Sequence, residues 1–302
     1  MTLTASYETC RRLHARFGRS YYLATRLLPS WKRRHVHALY GFARYADEIV
    51  DASSTADDRT AALDRLTARL ATGLAGEPTD DHVLPAFIHT VRSFGIDYDD
   101  IDAFLQSMRA DLTIARYSSY GDLLDYMEGS AAVIGTMTLP VLEPLPGWEK
   151  EAREPARQLG LAFQLTNFLR DVKEDLVRGR VYLPQDDLAR FGVEESDLAR
   201  PRVSPRLREL LAFEAGRARE HYRAALAGVE MLVPSSRPCV QAAHDLYGGI
   251  LDEIERSDFE VLARRVQVPR HRMLATFARH LAAASAAAKA DRYMGVEMPG
   301  WA

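Results

Sequence analysis

Apolar residues recur at i, i+3, i+4 and i+7 along most of this chain, and alternating runs of β-branched residues are hard to find. That period predicts an all-α protein. The longest periodic segments are 57–74, with Ala61, Leu63, Leu66, Leu70 and Leu74 in register, then 206–233 and 273–292. All three are rich in Ala, Leu, Arg and Glu, the strong helix formers. The prolines, Pro29, Pro140, Pro184, Pro205 and Pro238 among them, are expected at segment edges, where a missing N–H does least harm. The stretches 145–148 and 233–238 read as tight connections between helices, and no Gly/Ser-rich linker interrupts the pattern. A single helical domain over 1–302 is expected.

Two polar stripes stand out from the periodic background. In the first, Tyr40, Arg44, Asp47 and Asp51 fall within roughly 60° of arc on one helix face, while Phe42, Ala46 and Ile49 point elsewhere. In the second, Gln164, Asn167, Asp171 and Asp175 form a similar strip bordered by Leu161, Leu165, Phe168 and Val172, with Arg170 and Lys173 in more exposed directions. A single DxxxD on a helix is ordinarily a solvated face. Two of them, each with amide or arginine companions and each beside apolar positions, point to a shared purpose, because buried carboxylates are costly unless paired or bound to metal. Oxygen-only donors suit a hard cation such as Mg²⁺ or Mn²⁺, which keeps positions open for substrate phosphates.

The segment after the second stripe carries Arg178 and Arg180, suited to neutralising a diphosphate leaving group. An isolated Arg-Gly-Arg is more often a surface turn, and the reading here rests on its place directly after the acidic helix. For Arg44, a phosphate role and a simple i,i+3 partnership with Asp47 both remain open. The alternating ligand loop of an EF-hand is excluded, since these carboxylates have helical spacing.

Composition narrows the classes. The formal charge is 39 − 42 = −3, so nothing in the balance suggests a nucleic-acid partner. Cys10 and Cys239 are far apart with no CxxC, which leaves no disulfide framework or zinc site and suggests a reducing compartment. The amino terminus lacks the basic and apolar regions of a secretory signal, so a cytoplasmic location is expected. The apolar run 131–142 is shorter than the roughly 20 residues a spanning helix needs and reads as a buried core helix.

The ordered motifs resemble the squalene and phytoene synthase family, the head-to-head prenyl synthases. The markers are the run from Ser20 to Pro29, the aspartate motif Asp47 to Asp51 preceded by Tyr40 and Arg44, the run from Tyr126 to Gly135, the stripe Gln164 to Asp175, and the run from Arg178 to Pro184. Together they cover nearly the whole chain, and the pattern is most similar to bacterial phytoene synthases. The resemblance implies an all-α isoprenoid synthase fold, a helical bundle around a deep central cavity. It implies that Asp47, Asp51, Asn167, Asp171 and Asp175 hold Mg²⁺. Ser20, Tyr21, Tyr40, Arg44, Gln164, Arg170, Arg178, Arg180, Tyr182, Tyr247 and Arg264 would then contact substrate diphosphates. For Tyr247, core packing is the competing reading. The implied reaction condenses two geranylgeranyl diphosphates through a cyclopropyl diphosphate to phytoene, inside a cavity lined by residues such as Leu23, Phe42, Phe163 and Phe168.

Glu128 departs from the family pattern, where many relatives have tyrosine, and it is expected near the cyclopropyl step. The alternatives are a relative that makes squalene, dehydrosqualene or a hydroxylated C30 product from farnesyl diphosphate, with NADPH required only for squalene, and a catalytically silent subunit that binds prenyl diphosphates. A long hydrocarbon product also suggests transient contact with a membrane face and with other carotenoid-pathway enzymes. The basic cluster Lys32, Arg33, Arg34 and His35 is either a headgroup contact or a solvated helix start.

Overall fold

A computed structural model describes residues 2–52 and 55–293. Its helices are α1 Leu3–Phe17, α2 Arg19–Thr25, α3 Ser30–Val50, α4 Ala56–Leu74, α5 Leu84–Phe94, α6 Tyr98–Ala110 and α7 Tyr120–Met127. They continue as α8 Val133–Leu142, α9 Arg153–Arg170, α10 Val172–Val177, α11 Gln185–Phe191, α12 Glu195–Leu198, α13 Pro205–Leu226, α14 Arg237–Arg256 and α15 Arg270–Tyr293. A one-turn π-helical segment, Glu128–Ala132, joins α7 to α8. Among the described residues no strand forms, and the expectation of an all-α chain is met; the only β pairings there are two isolated bridges.

Local chemistry sets many boundaries. Thr55 caps α4 by accepting from Asp58 N, Ser204 caps α13 from Leu207 N, and Gly95 ends α5 in the left-handed region at φ 60°. Three expectations are corrected by packing. The predicted helix 206–233 stops at Leu226, because the chain there passes against α9: a Cβ on Gly228 would stand 2.4 Å from Pro155 Cβ, and a short 3₁₀ turn, Val229–Met231, follows. Pro140 lies inside α8, in its last turn, instead of at a segment edge. The two ends of the basic cluster are not solvated. Lys32 is fully buried and donates to Ser236 Oγ at 2.9 Å and to the Leu142 carbonyl at 3.3 Å, while His35 is buried against Tyr7.

Two large apolar clusters flank the centre. One joins α1, α3, α4, α5, α6 and α8, with Phe42 stacked on Phe87 at 3.8 Å. The other joins α7, α9, α13 and α14. Helices α8 and α9 approach closely through glycine. A Cβ on Gly160 would meet the Ala131 carbonyl oxygen at 2.3 Å, and one on Gly135 would meet that of Ala156 at 2.1 Å. Backbone cannot yield as a flexible side chain does, so Gly160→Ala is expected to lower stability by about 2 kcal/mol despite the better helix propensity of alanine. Urea unfolding at constant m-value measures it; an unchanged midpoint would show that the helices part without strain.

Candidate active site

The first stripe forms as predicted on α3. Arg44 donates to Asp47 Oδ2 at 2.8 Å and to Glu48 Oε1 at 3.2 Å, so the i,i+3 partnership of Arg44 is realised. Asp51 ends the helix, where the macrodipole disfavours a carboxylate. The cations that offset this come from far along the chain: Arg180 Nη2 donates to Asp51 Oδ1 at 2.9 Å and Arg178 Nη1 lies 3.6 Å from Asp51 Oδ2. The Arg-Gly-Arg segment is therefore no free surface turn, since it bridges the second acidic element to the first.

The second stripe is not one continuous helix. At Asp171 the backbone leaves helical geometry (φ −107°, ψ 18°), and α10 begins afresh. The bonds Asp171 N to Asn167 O and Asp175 N to Asp171 O, at 2.9 and 2.8 Å, carry the ladder across the break. Arg170, expected in an exposed direction, is 13% exposed and its Nε donates to Asp171 Oδ1 at 2.8 Å. Asn167 accepts from Tyr247 OH at 3.2 Å, and its own amide donates to Gln164 at 3.4 Å. Tyr247 stacks on Tyr21 at 4.2 Å, which joins α14 to α2 beside the half-buried Ser20. Tyr247 thus both packs and carries a site hydrogen bond.

Sequence reasoning missed two members of this cluster. Arg264 is exposed, and it is the neighbouring Arg265 whose Nε and Nη2 donate to Asp171 at 2.7 and 2.8 Å. The two positions differ by one residue in a loop, where no periodicity chooses between them. Asp111, which follows α6, is a further carboxylate beside the first stripe: it accepts from Tyr126 OH at 2.8 Å and from Tyr182 OH at 3.4 Å. Burial, outweighing the Tyr126 hydrogen bond, pushes Asp111 up to about 6. Tyr182 itself stacks on Phe168 at 3.9 Å.

Positive charge is shared unevenly among the carboxylates: Asp51 and Asp171 each meet two arginines, and Asp175 meets none in an ion pair among the described residues. Burial, then the neighbouring Asp51, raises Asp47 to about 6, although 47% of its side chain still meets solvent within the recess. That access argues for a smaller rise than burial alone would give. Asp175 is pushed up to about 7, by burial first and by Asp171 next, and its carboxylate makes no ion pair among the described residues. The side chains of Asp47, Asp51, Asn167, Asp171 and Asp175 offer only oxygen as ligand atoms, the chemistry that suits a hard divalent cation, although among the described residues no three carboxylates stand close enough together to enclose a metal ion.

Below the stripes lies a cavity of about 320 Å³. Tyr21, Tyr40, Gln164 and Asn167 line its polar end, and Ile134, Thr138, Ala156, Leu159, Phe163 and Val240 are among its apolar walls. Phe163 is the one expected lining residue that takes this place. Phe42 is wholly buried against Phe87, Phe168 packs under Tyr182, and Leu23 belongs to the cluster between α2 and α14. Glu128 is also corrected: it pairs with Arg157 and is absent from the cavity wall.

Carboxylates and arginines on two stripes whose Tyr40, Gln164 and Asn167 line an oily cavity suit an amphiphile that has a polyanionic head and a hydrocarbon tail, and the fold and site define an all-helical enzyme of that kind. Residues 14–272 match the squalene/phytoene synthase family, and the chain belongs to it. It is 36% identical over 282 residues to a 15-cis-phytoene synthase of Synechococcus elongatus, covering 90% of this chain and 91% of that one. It is 38% identical to a phytoene synthase of Arthrospira platensis, over 89% of this chain and 90% of the relative. Among solved structures, a dehydrosqualene synthase bound to a ligand superposes with a TM-score of 0.85 at 26% identity, over 94% of this chain and 98% of that one. A squalene synthase of Alicyclobacillus acidocaldarius superposes with a TM-score of 0.76 at 25% identity, over 85% and 96%.

Proposed function

We propose that this protein is a phytoene synthase, working as one domain, which condenses two molecules of geranylgeranyl diphosphate head to head. The observation that carries the reading is that Tyr40, Gln164 and Asn167, which belong to the two acidic stripes, line the apolar cavity. The phytoene synthase relatives that match along nine-tenths of the chain support the choice of product. Mg²⁺ bound by Asp47, Asp51, Asn167, Asp171 and Asp175 would supply Lewis-acid charge for departure of diphosphate.

The chain's own residues do the rest. Arg178 and Arg180, already held at the carboxylate cluster by Asp51, stand where charge develops on the leaving group, and Arg44, Arg170 and Arg265 add to the same field. Tyr247 and Tyr21 hold Asn167 and the cavity mouth in place. Phe163 and the aliphatic walls exclude water, and the aromatic faces favour a cation, so the allylic cation survives until the second double bond attacks it. Phytoene is insoluble in water, which supports transient membrane contact and hand-over to the enzymes that consume it. No helix among the described residues is long and apolar enough to cross a membrane.

The test is incubation with Mg²⁺ and, separately, farnesyl and geranylgeranyl diphosphate, with and without NADPH, with products identified by mass. The expected product is a C40 hydrocarbon from geranylgeranyl diphosphate without NADPH. A C30 product alone would move the chain to the dehydrosqualene or squalene side of the family, and binding without turnover would make it a silent subunit.

A further inference from the structure

The cavity wall contains one group that the mechanism so far does not use. His14, on α1, is 1% exposed and lines the cavity, and its Nε2 is buried with no hydrogen-bond partner. An orphaned polar atom in an apolar wall is costly unless a ligand or a reaction uses it. The placement is built. The imidazole stacks flat on Tyr40 at 4.1 Å, and Gly18 leaves the room: a Cβ there would stand 2.6 Å from the Tyr40 ring and 2.9 Å from His14 Cδ2.

The other ring nitrogen leads outward. His14 Nδ1 lies 2.9 Å from His37 Nδ1, and one of the two must donate. With His14 as the donor, its Nε2 presents a lone pair to the cavity. His37 stacks on Tyr22, whose hydroxyl accepts from Arg11 at 3.1 Å, and Arg11 pairs with the half-exposed Glu8. The two imidazoles thus run from the cavity wall to a surface ion pair. Burial holds His14 well below the ordinary histidine range, so the ring is neutral near pH 7. Among the described residues that line the cavity, the remaining polar side chains are phenols, hydroxyls, amides and a thiol, and His14 alone has a basic nitrogen.

Resting on the phytoene reading, we propose that His14 is a catalytic residue that accepts the proton lost in the last step, and that His37 passes it outward. The C–H bond beside the final cationic carbon breaks, and its electron pair becomes the new C=C bond. The proton goes to His14 Nε2 while the proton on His14 Nδ1 moves to His37 Nδ1, and His37 releases its Nε2 proton to water. No oxidant or reductant is needed.

The experiment uses the full chain with Mg²⁺ and geranylgeranyl diphosphate, comparing wild type, His14→Phe, His14→Leu and His37→Leu, with the fold of each checked by thermal melting. His14→Phe keeps a ring against Tyr40. Both His14 variants should still consume substrate and form the cyclopropyl diphosphate, while the phytoene share of the products falls about tenfold in favour of water-trapped alcohols and unreacted intermediate. His37→Leu should lower the rate of phytoene release and leave the cyclopropyl step unchanged. An unchanged phytoene share in a folded His14 variant, or an unchanged rate in folded His37→Leu, would overturn the proposal and leave the departing diphosphate as the base. If wild type itself forms no hydrocarbon by proton loss, the phytoene reading fails and this inference fails with it.

Discussion

Asp175→Asn is expected to remove turnover, with kcat/KM down about 10³-fold, and at the same time to stabilise the metal-free protein. Both effects follow from one geometry. Asp175 faces the recess without an ion pair among the described residues, and burial beside Asp171 pushes it up to about 7. A carboxyl whose folded pKa stands above its unfolded value favours the fold only while protonated. Its contribution is complete below the ordinary carboxylate range and is lost as pH rises through about 7. Through this group, the metal-free protein should be more stable at pH 6 than at pH 8, and Asn should weaken that dependence by on the order of 1 kcal/mol, allowing for partial exposure. Mg²⁺ should act in the opposite sense, stabilising wild type more at pH 8, because only the ionised carboxylate binds it. Melting of both proteins at the two pH values, in EDTA and in Mg²⁺, decides the matter. Equal stabilisation of the variant by Mg²⁺ would show that Asp175 is no ligand.

Thr138→Phe should shift substrate choice from the C20 toward the C15 diphosphate by about tenfold in relative kcat/KM. The close contacts of Gly160 with Ala131 and of Gly135 with Ala156 show that α8 and α9 run antiparallel along the cavity. Asn167 marks its polar end on α9, so Thr138 and Leu142 on α8 lie toward the far end. From Asn167 to Ala156, α9 spans about 16 Å. A phenyl ring at position 138 would occupy space that only the longer tail reaches, leaving the carboxylate recess untouched. Competition between the two diphosphates measures the ratio. An unchanged ratio, with the fold intact, would mean that the tail runs along another wall.

Much of the site was legible in the sequence where the geometry is local. Tyr40, Arg44 and Asp47 share a face because 3.6 residues make a turn, and no long-range contact is needed to align them. The same reasoning over-reached at the second stripe, since a periodic pattern does not reveal a break such as the one at Asp171. The cavity implied by the resemblance was given Phe42 and Phe168 as walls, yet they pack on Phe87 and Tyr182, because a match of apolar positions says nothing of what each is buried against.

The sequence by itself determined the helical class, the two acidic stripes, the donor chemistry that suits a hard cation, and the family. Tertiary structure decided which distant groups complete the cluster. Asp111 from the end of α6, Arg265 in place of Arg264, and Arg178 and Arg180 on Asp51 all meet it across long stretches of chain. It likewise brought His14 against Tyr40 by way of Gly18. The physical reason is range: helical periodicity is fixed by neighbours three and four residues apart, whereas an ion pair or a cavity wall exists only after whole helices have packed.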